Sequence, residues 1–125
     1  MEPLKGYTGG WLEGISDARH KPRFKLAVDL RVTSRTCGQL SGRTLDISEV
    51  GLAALLKIEV PLGECVKLEF TPPFGPVAVY AMVRQRNAFR YGFEFVEANS
   101  DLEIIRATCR SLEMEQFLKK ATEAG

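Results

Sequence analysis

From Phe24 onward, apolar and polar positions follow a two-residue period. Phe24, Leu26, Val28, Leu30 and Val32 alternate with Lys25, Ala27, Asp29 and Arg31, which predicts a strand with one buried face. Gly38 and the Ser41–Gly42 pair predict a turn region after it. A second strand is expected over Arg43 to Ile47, with Leu45 and Ile47 on one face and Asp46 and Ser48 on the other. Leu52 to Ile58 reads as a third strand, stopped by Pro61-Leu62-Gly63. Val66, Leu68 and Phe70 mark a fourth. Pro72, Pro73 and Pro76 lack the amide hydrogens a ladder needs, so that stretch must turn. Val77, Val79, Ala81 and Val83 form a fifth strand. A tight turn at Asn87-Ala88 leads to a sixth, with Tyr91, Phe93 and Phe95 inward.

After residue 100 the period lengthens. Leu102, Ile105, Cys109, Leu112 and Phe117 recur at helical spacing. Ser100 with Glu103 fits a capping box, and Asp101 and Glu103 precede Lys119 and Lys120 in the order the helix dipole favours. Consecutive strands joined by short turns favour antiparallel pairing. A sheet with one apolar face must be covered or must close on itself. The expected fold is therefore mainly β: a six-stranded antiparallel barrel with a C-terminal α-helix against one opening or side. Residues 1–18 carry Gly6, Gly9, Gly10 and Gly14 and show no period, so they are expected to be a flexible segment, with Tyr7, Trp11, Leu12 and Ile15 available to dock on the body. The barrel and helix are expected to occupy 19–118, and 119–125 to form a tail.

Composition narrows the function. A chain of 125 residues is one domain, long enough for a core of its own. With 17 basic against 16 acidic residues the net charge is +1, which disfavours binding to long nucleic acid but permits a small anion held by a few arginines. The aromatics Phe70, Tyr91, Phe93 and Phe95 fall on the inward period and are expected in the core, not as stacking platforms. Cys37, Cys65 and Cys109 lie far apart and His20 is the only histidine, so a zinc site is not expected and the thiols read as packing residues of a reducing compartment. Neither a leader nor a membrane-spanning run is apparent, which points to the cytoplasm without membrane insertion. With one histidine in a loop and carboxylates on solvent faces, an enzyme is not expected.

Two short patterns carry chemistry. Arg19-His20-Lys21-Pro22-Arg23 sets two arginines four apart, and Pro22 biases the residue before it away from helix. In an extended segment the two planar guanidinium forks can converge on one ligand, matching a phosphate bidentately or stacking on a base. Taken alone, the stretch reads as a solvated basic run before a strand. Asp46-Ile47-Ser48-Glu49-Val50-Gly51 closes the second expected strand. The Asp46 carboxylate accepts two N–H bonds, a match for the N1–H and exocyclic amine of guanine. The Ser48 hydroxyl donates or accepts, and Gly51 permits positive φ or a close approach. The plainer alternative is a hydroxyl-closed turn with the glycine there for geometry.

Together, in this order, the two patterns resemble the RxxxR and [DN]xSxxG signature of PilZ domains, bacterial receptors for cyclic di-GMP. Tyr91-Gly92-Phe93-Glu94-Phe95-Val96 resembles the last strand of that family. The resemblance spans roughly residues 18 to 115 and implies the six-stranded barrel with a C-terminal helix reached above from periodicity. It implies that Arg19 and Arg23 clasp the phosphates and guanine edges of cyclic di-GMP, that Asp46 and Ser48 hydrogen-bond a guanine and its surroundings, and that Gly51 shapes the pocket floor. It further implies no cofactor, and a switch in which ligand draws the N-terminal segment against the barrel and signals to a protein partner. Many members carry another arginine just before the RxxxR. Here Ala18 stands there, which tilts the expectation to one ligand molecule per site. The competing expectation is a barrel of this family that has lost nucleotide binding and serves only as a protein-interaction module.

Overall fold

A computed structural model of the chain describes residues 21–96 and 101–124. Seven strands and one helix are present among them: β1 (Phe24–Lys25), β2 (Asp29–Ser34), β3 (Gly38–Ile47), β4 (Gly51–Leu56), β5 (Cys65–Phe70), β6 (Val77–Asn87), β7 (Arg90–Phe95) and α1 (Asp101–Ala124). Every pairing is antiparallel. The order β3-β2-β5-β6-β7-β4 closes because β4 also pairs with β3, so six strands form a barrel and β1 adds to the end of β3. Closure leaves none of the six with a free edge.

The barrel interior is filled from the inward period. Leu30 and Val32, Ile47, Leu52, Ala54 and Leu56, Val66, Leu68 and Phe70, Val77, Val79, Ala81 and Val83, and Tyr91 and Phe93 are all buried. The Tyr91 hydroxyl is satisfied at depth: it accepts from the Val60 amide (2.9 Å) and donates to the Ile58 carbonyl (3.3 Å). α1 lies against β6 and β1, and seals the core with Ile105, Cys109 and Leu112.

Four expectations are corrected. The first strand is split: β1 and β2 are separated at 26–28, opposite a register shift between Thr44 and Asp46 in β3. The extra residue, Leu45, pushes its carbonyl toward the Leu26 amide (3.2 Å), and the Thr44 amide reaches the Val28 carbonyl (2.9 Å). The turn after β2 lies at Arg35–Cys37 and ends at Gly38 (φ 78°), whereas Ser41 and Gly42 sit inside β3. A Cβ at Gly42 would stand 2.5 Å from the Leu55 carbonyl oxygen, so this glycine permits close strand contact, not a turn. The β6–β7 hairpin turns at Ala88-Phe89, one residue later than expected, with Ala88 at φ 56°. Finally, the helix runs past 118 to Ala124, so Lys119 and Lys120 are not in its last turn, and Phe117 is exposed. The expected Ser100 cap lies outside the described residues. Glu103 pairs with Arg106 (2.5 Å), and the Asp101 carboxylate accepts from the Ala78 amide (2.9 Å).

Candidate ligand-binding site

The split first strand and the β3 bulge prepare one face of the barrel. Thr44 is buried, and its hydroxyl accepts from the Val28 amide (2.9 Å) while donating to the Leu26 carbonyl. This one side chain supplies the ladder bonds that the bulge removes, and it pins the segment that follows Arg23. Nothing in the local sequence marks Thr44 for that work, because the need arises from the bulge beside it.

Beyond the bulge, the register sets one outward row across the sheet: Lys25, Asp46, Ala53, Gly92 and Gln85. Ala53 and Gly92 project no side chain beyond a Cβ, so the middle of the row is a flat floor, in which Ala53 is itself buried and the Gln85 side chain lies close to Gly92. Asp46 stands at one end. Arg23 Nε donates to Asp46 Oδ1 at 2.7 Å and its Nη2 lies 2.6 Å from the same oxygen. Arg90, from β7, brings Nη2 to 3.6 Å from Asp46 Oδ2. Asp46 is one-fifth exposed, Arg23 two-fifths and Arg90 more than half. Two guanidinium groups therefore share one carboxylate on an open face, with Lys25 beside them, and positive charge is left over. Arg90 is a neighbour of Asp46 that the sequence reading missed. It becomes a neighbour of Asp46 only because β4 joins β3 to β7.

Ser48 behaves differently from the expectation that it shares the outward face with Asp46. Strand alternation ends at Ile47, the chain turns, and the Ser48 side chain is fully buried. Its hydroxyl accepts from the Val50 (3.1 Å) and Gly51 (3.2 Å) amides and donates to the Gly51 carbonyl (3.3 Å). It thus closes the β3–β4 turn. Gly51 is not at positive φ. Its requirement is steric: a Cβ there would stand 2.1 Å from the Phe93 carbonyl oxygen. Ser48 and Gly51 hold β4 close to β7, and this contact keeps Asp46 within reach of Arg90.

A family model for the PilZ domain matches residues 17–110. The chain belongs to the PilZ domain family. The PilZ barrel is also seen in solved structures at low identity. The PilZ domain of YcgR from Escherichia coli, determined with cyclic di-GMP, superposes at a TM-score of 0.65 with 18% identity, covering 82% of this chain and 97% of that one. Longer YcgR from the same organism, in complex with cyclic di-GMP, gives 0.69 and 21%, covering 86% of this chain. The inhibitor of motility MotI/DgrA of Bacillus subtilis gives 0.67 and 18%, covering 81% of this chain. The chain spans about half the length of the longer YcgR and of MotI (50% and 52%). No curated protein matches it. At these identities the likeness establishes the fold.

Arg19, with His20 and Trp11, lies outside the described residues, so of the five residues singled out from sequence the structure places Arg23, Asp46, Ser48 and Gly51. The cysteines of this PilZ domain are free. Burial on the core-facing side of α1 pushes the Cys109 thiol up to about 11, and the Glu49 carboxylate of the β3–β4 turn adds to that shift, so Cys109 stays a neutral packing group. No described helix is long and apolar enough to cross a membrane.

Proposed function

We propose that this PilZ domain is a receptor for cyclic di-GMP, that Arg19, Arg23, Asp46 and Arg90 contact the ligand, and that binding changes the conformation of the N-terminal segment and signals to a protein partner. The observation that carries the reading is the convergence of Arg23 and Arg90 on Asp46 beside the flat Ala53–Gly92 floor. A planar guanine fits such a floor. The Asp46 carboxylate accepts from its N1–H and amine, while the guanidinium groups, partly exposed and in excess over the carboxylate, turn to a phosphodiester. Ser48 and Gly51 act in this reading by shaping the β3–β4 turn under Asp46. Arg19, four residues before Arg23, arrives with the segment that precedes the barrel, so ligand contact through it orders that segment against the site. The cyclic di-GMP named in the YcgR complexes supports the choice of ligand.

Isothermal titration of cyclic di-GMP into the purified protein tests this. Wild type should bind saturably, with one ligand per site, and the ligand should raise the melting temperature. Arg23→Ala should weaken binding by roughly a hundredfold, and Arg90→Ala by roughly tenfold, because each removes charge-assisted bonds. Both variants should keep the wild-type circular dichroism spectrum. A folded wild type that takes up no ligand would overturn the receptor reading and leave a protein-interaction barrel.

A further inference from the structure

The second half of α1 extends an apolar seam away from the barrel. Ile105, Cys109 and Leu112 face the core, and Gln116 continues that side, its Nε2 donating to the Lys25 carbonyl (3.3 Å). On the opposite side Met114 (58% exposed), Phe117 (64%) and Leu118 (54%) stand in solvent, and exposed Ala121 follows. Met114, Phe117 and Ala121 are spaced three and four apart, the a and d steps of a heptad, with Leu118 beside them. Arg110, one step earlier, bounds the seam with a charge. A monomer leaves this stripe uncovered among the described residues, on a stretch of helix that little else holds.

The charges beside the seam specify what covers it. Glu113 and Lys120 are seven residues apart, both exposed, and lie on the same flank. In an antiparallel helix pair related by a two-fold axis, residues on the same flank face each other. The register that centres the seam on residues 116 and 117 sets Glu113 of one copy against Lys120 of the other, twice per pair. Phe117 then packs across the axis, with Met114 and Ala121 on either side. A parallel pair has no such match, because it would set Glu113 against the opposite flank, where Leu118 lies.

We propose that this chain self-associates through α1 as an antiparallel, two-fold symmetric dimer, with Met114, Phe117, Leu118 and Ala121 as its seam and reciprocal Glu113–Lys120 pairs at its edge. The seam is short, so the dimer is weak and depends on concentration. The proposal stands apart from ligand binding, which has its own readout on another face.

Sedimentation equilibrium of the full chain over a concentration series tests it. Wild type should show a monomer–dimer equilibrium. Phe117→Glu should be monomeric throughout, with an unchanged circular dichroism spectrum because the side chain lies outside the core. Glu113→Lys and Lys120→Glu should each weaken the dimer about tenfold, since each turns two attractive contacts into two repulsive ones. Combining the two reversals should restore it. A wild type that stays monomeric over the series overturns the proposal, as does a dimer indifferent to Phe117→Glu. Single reversals that the double variant fails to rescue overturn the antiparallel register.

Discussion

Ser34 and Ser48 each close a turn in the same way, and the two turns differ in what stands beside them. Both hydroxyls are buried. Ser34 Oγ accepts from the Cys37 amide (3.0 Å) as Ser48 Oγ accepts from Val50 and Gly51. A carboxylate serves each end of the barrel. Glu64 accepts from the Ser34 hydroxyl and from the Arg35 (2.9 Å) and Thr36 (3.4 Å) amides, donors fixed by the turn itself. Asp46 is held by Arg23 and Arg90, whose long, partly exposed side chains can move to another anion. A carboxylate bound by backbone donors belongs to the scaffold. One bound by long, partly exposed guanidinium groups beside a row of small residues is suited to exchange partners. The comparison separates scaffold from site more sharply than burial or charge alone.

The severest break of the site side is Gly51→Ala. The Phe93 carbonyl oxygen at 2.1 Å from the added Cβ belongs to backbone and cannot swing away, so β4 must separate from β7. Destabilisation of about 3 kcal/mol is expected, with loss of ligand binding as Arg90 parts from Asp46. Urea unfolding followed by circular dichroism measures the first effect. Native-like stability would show that the β4–β7 contact adapts more readily than the geometry implies.

The two serines give the sharper test. Ser34→Ala and Ser48→Ala each remove a buried hydroxyl that accepts from turn amides, and each should cost about 1–2 kcal/mol in urea unfolding. Only Ser48→Ala should also weaken cyclic di-GMP binding, because its turn underlies Asp46. Equal loss of affinity in both variants would mean that the two ends of the barrel are coupled and the division drawn here is wrong.

The sequence disclosed those parts of the molecule that depend on neighbours in the chain. Val66 to Phe70, Val77 to Val83 and Tyr91 to Phe95 alternate strictly, and their strands appear where that alternation places them. The break at 26–28 was hidden, because Leu26 and Val28 keep the apolar period while the interruption comes from Leu45 on the facing strand. Phe117 was grouped with the core face by its apolar character, but it stands five residues past Leu112, where helical rotation turns it away from the barrel, and Gln116 takes the core-side position. In the site, the aspartate and second arginine of the two motifs stood out by residue type and spacing, and their ion pair needs only that β1 lie beside β3. Arg90 and Thr44 were silent. One is brought to Asp46 by closure of the barrel, and the other answers a bulge that no composition signals.

The smallest expected effect lies on the scaffold side and depends on pH. The Ser34 hydroxyl most strongly, with help from the Thr36 and Arg35 donors, holds the Glu64 carboxyl below its usual range, while burial, second only to Ser34, opposes them. A carboxylate whose folded pKa is depressed stabilises the fold fully above its unfolded pKa. That contribution is lost as pH falls through the folded value. Glu64→Gln, which keeps the shape but not the charge, should therefore lower the urea midpoint by a constant amount from neutral pH down to about 5, and by progressively less below that. The Asp46 face offers the matching control, because ligand affinity at neutral pH should be the same in Glu64→Gln and wild type. A gap between the two proteins that stays constant into acid would mean that the turn amides, and not the charge, do the holding. A fall in affinity would mean that the Glu64 end of the barrel reaches the ligand face after all.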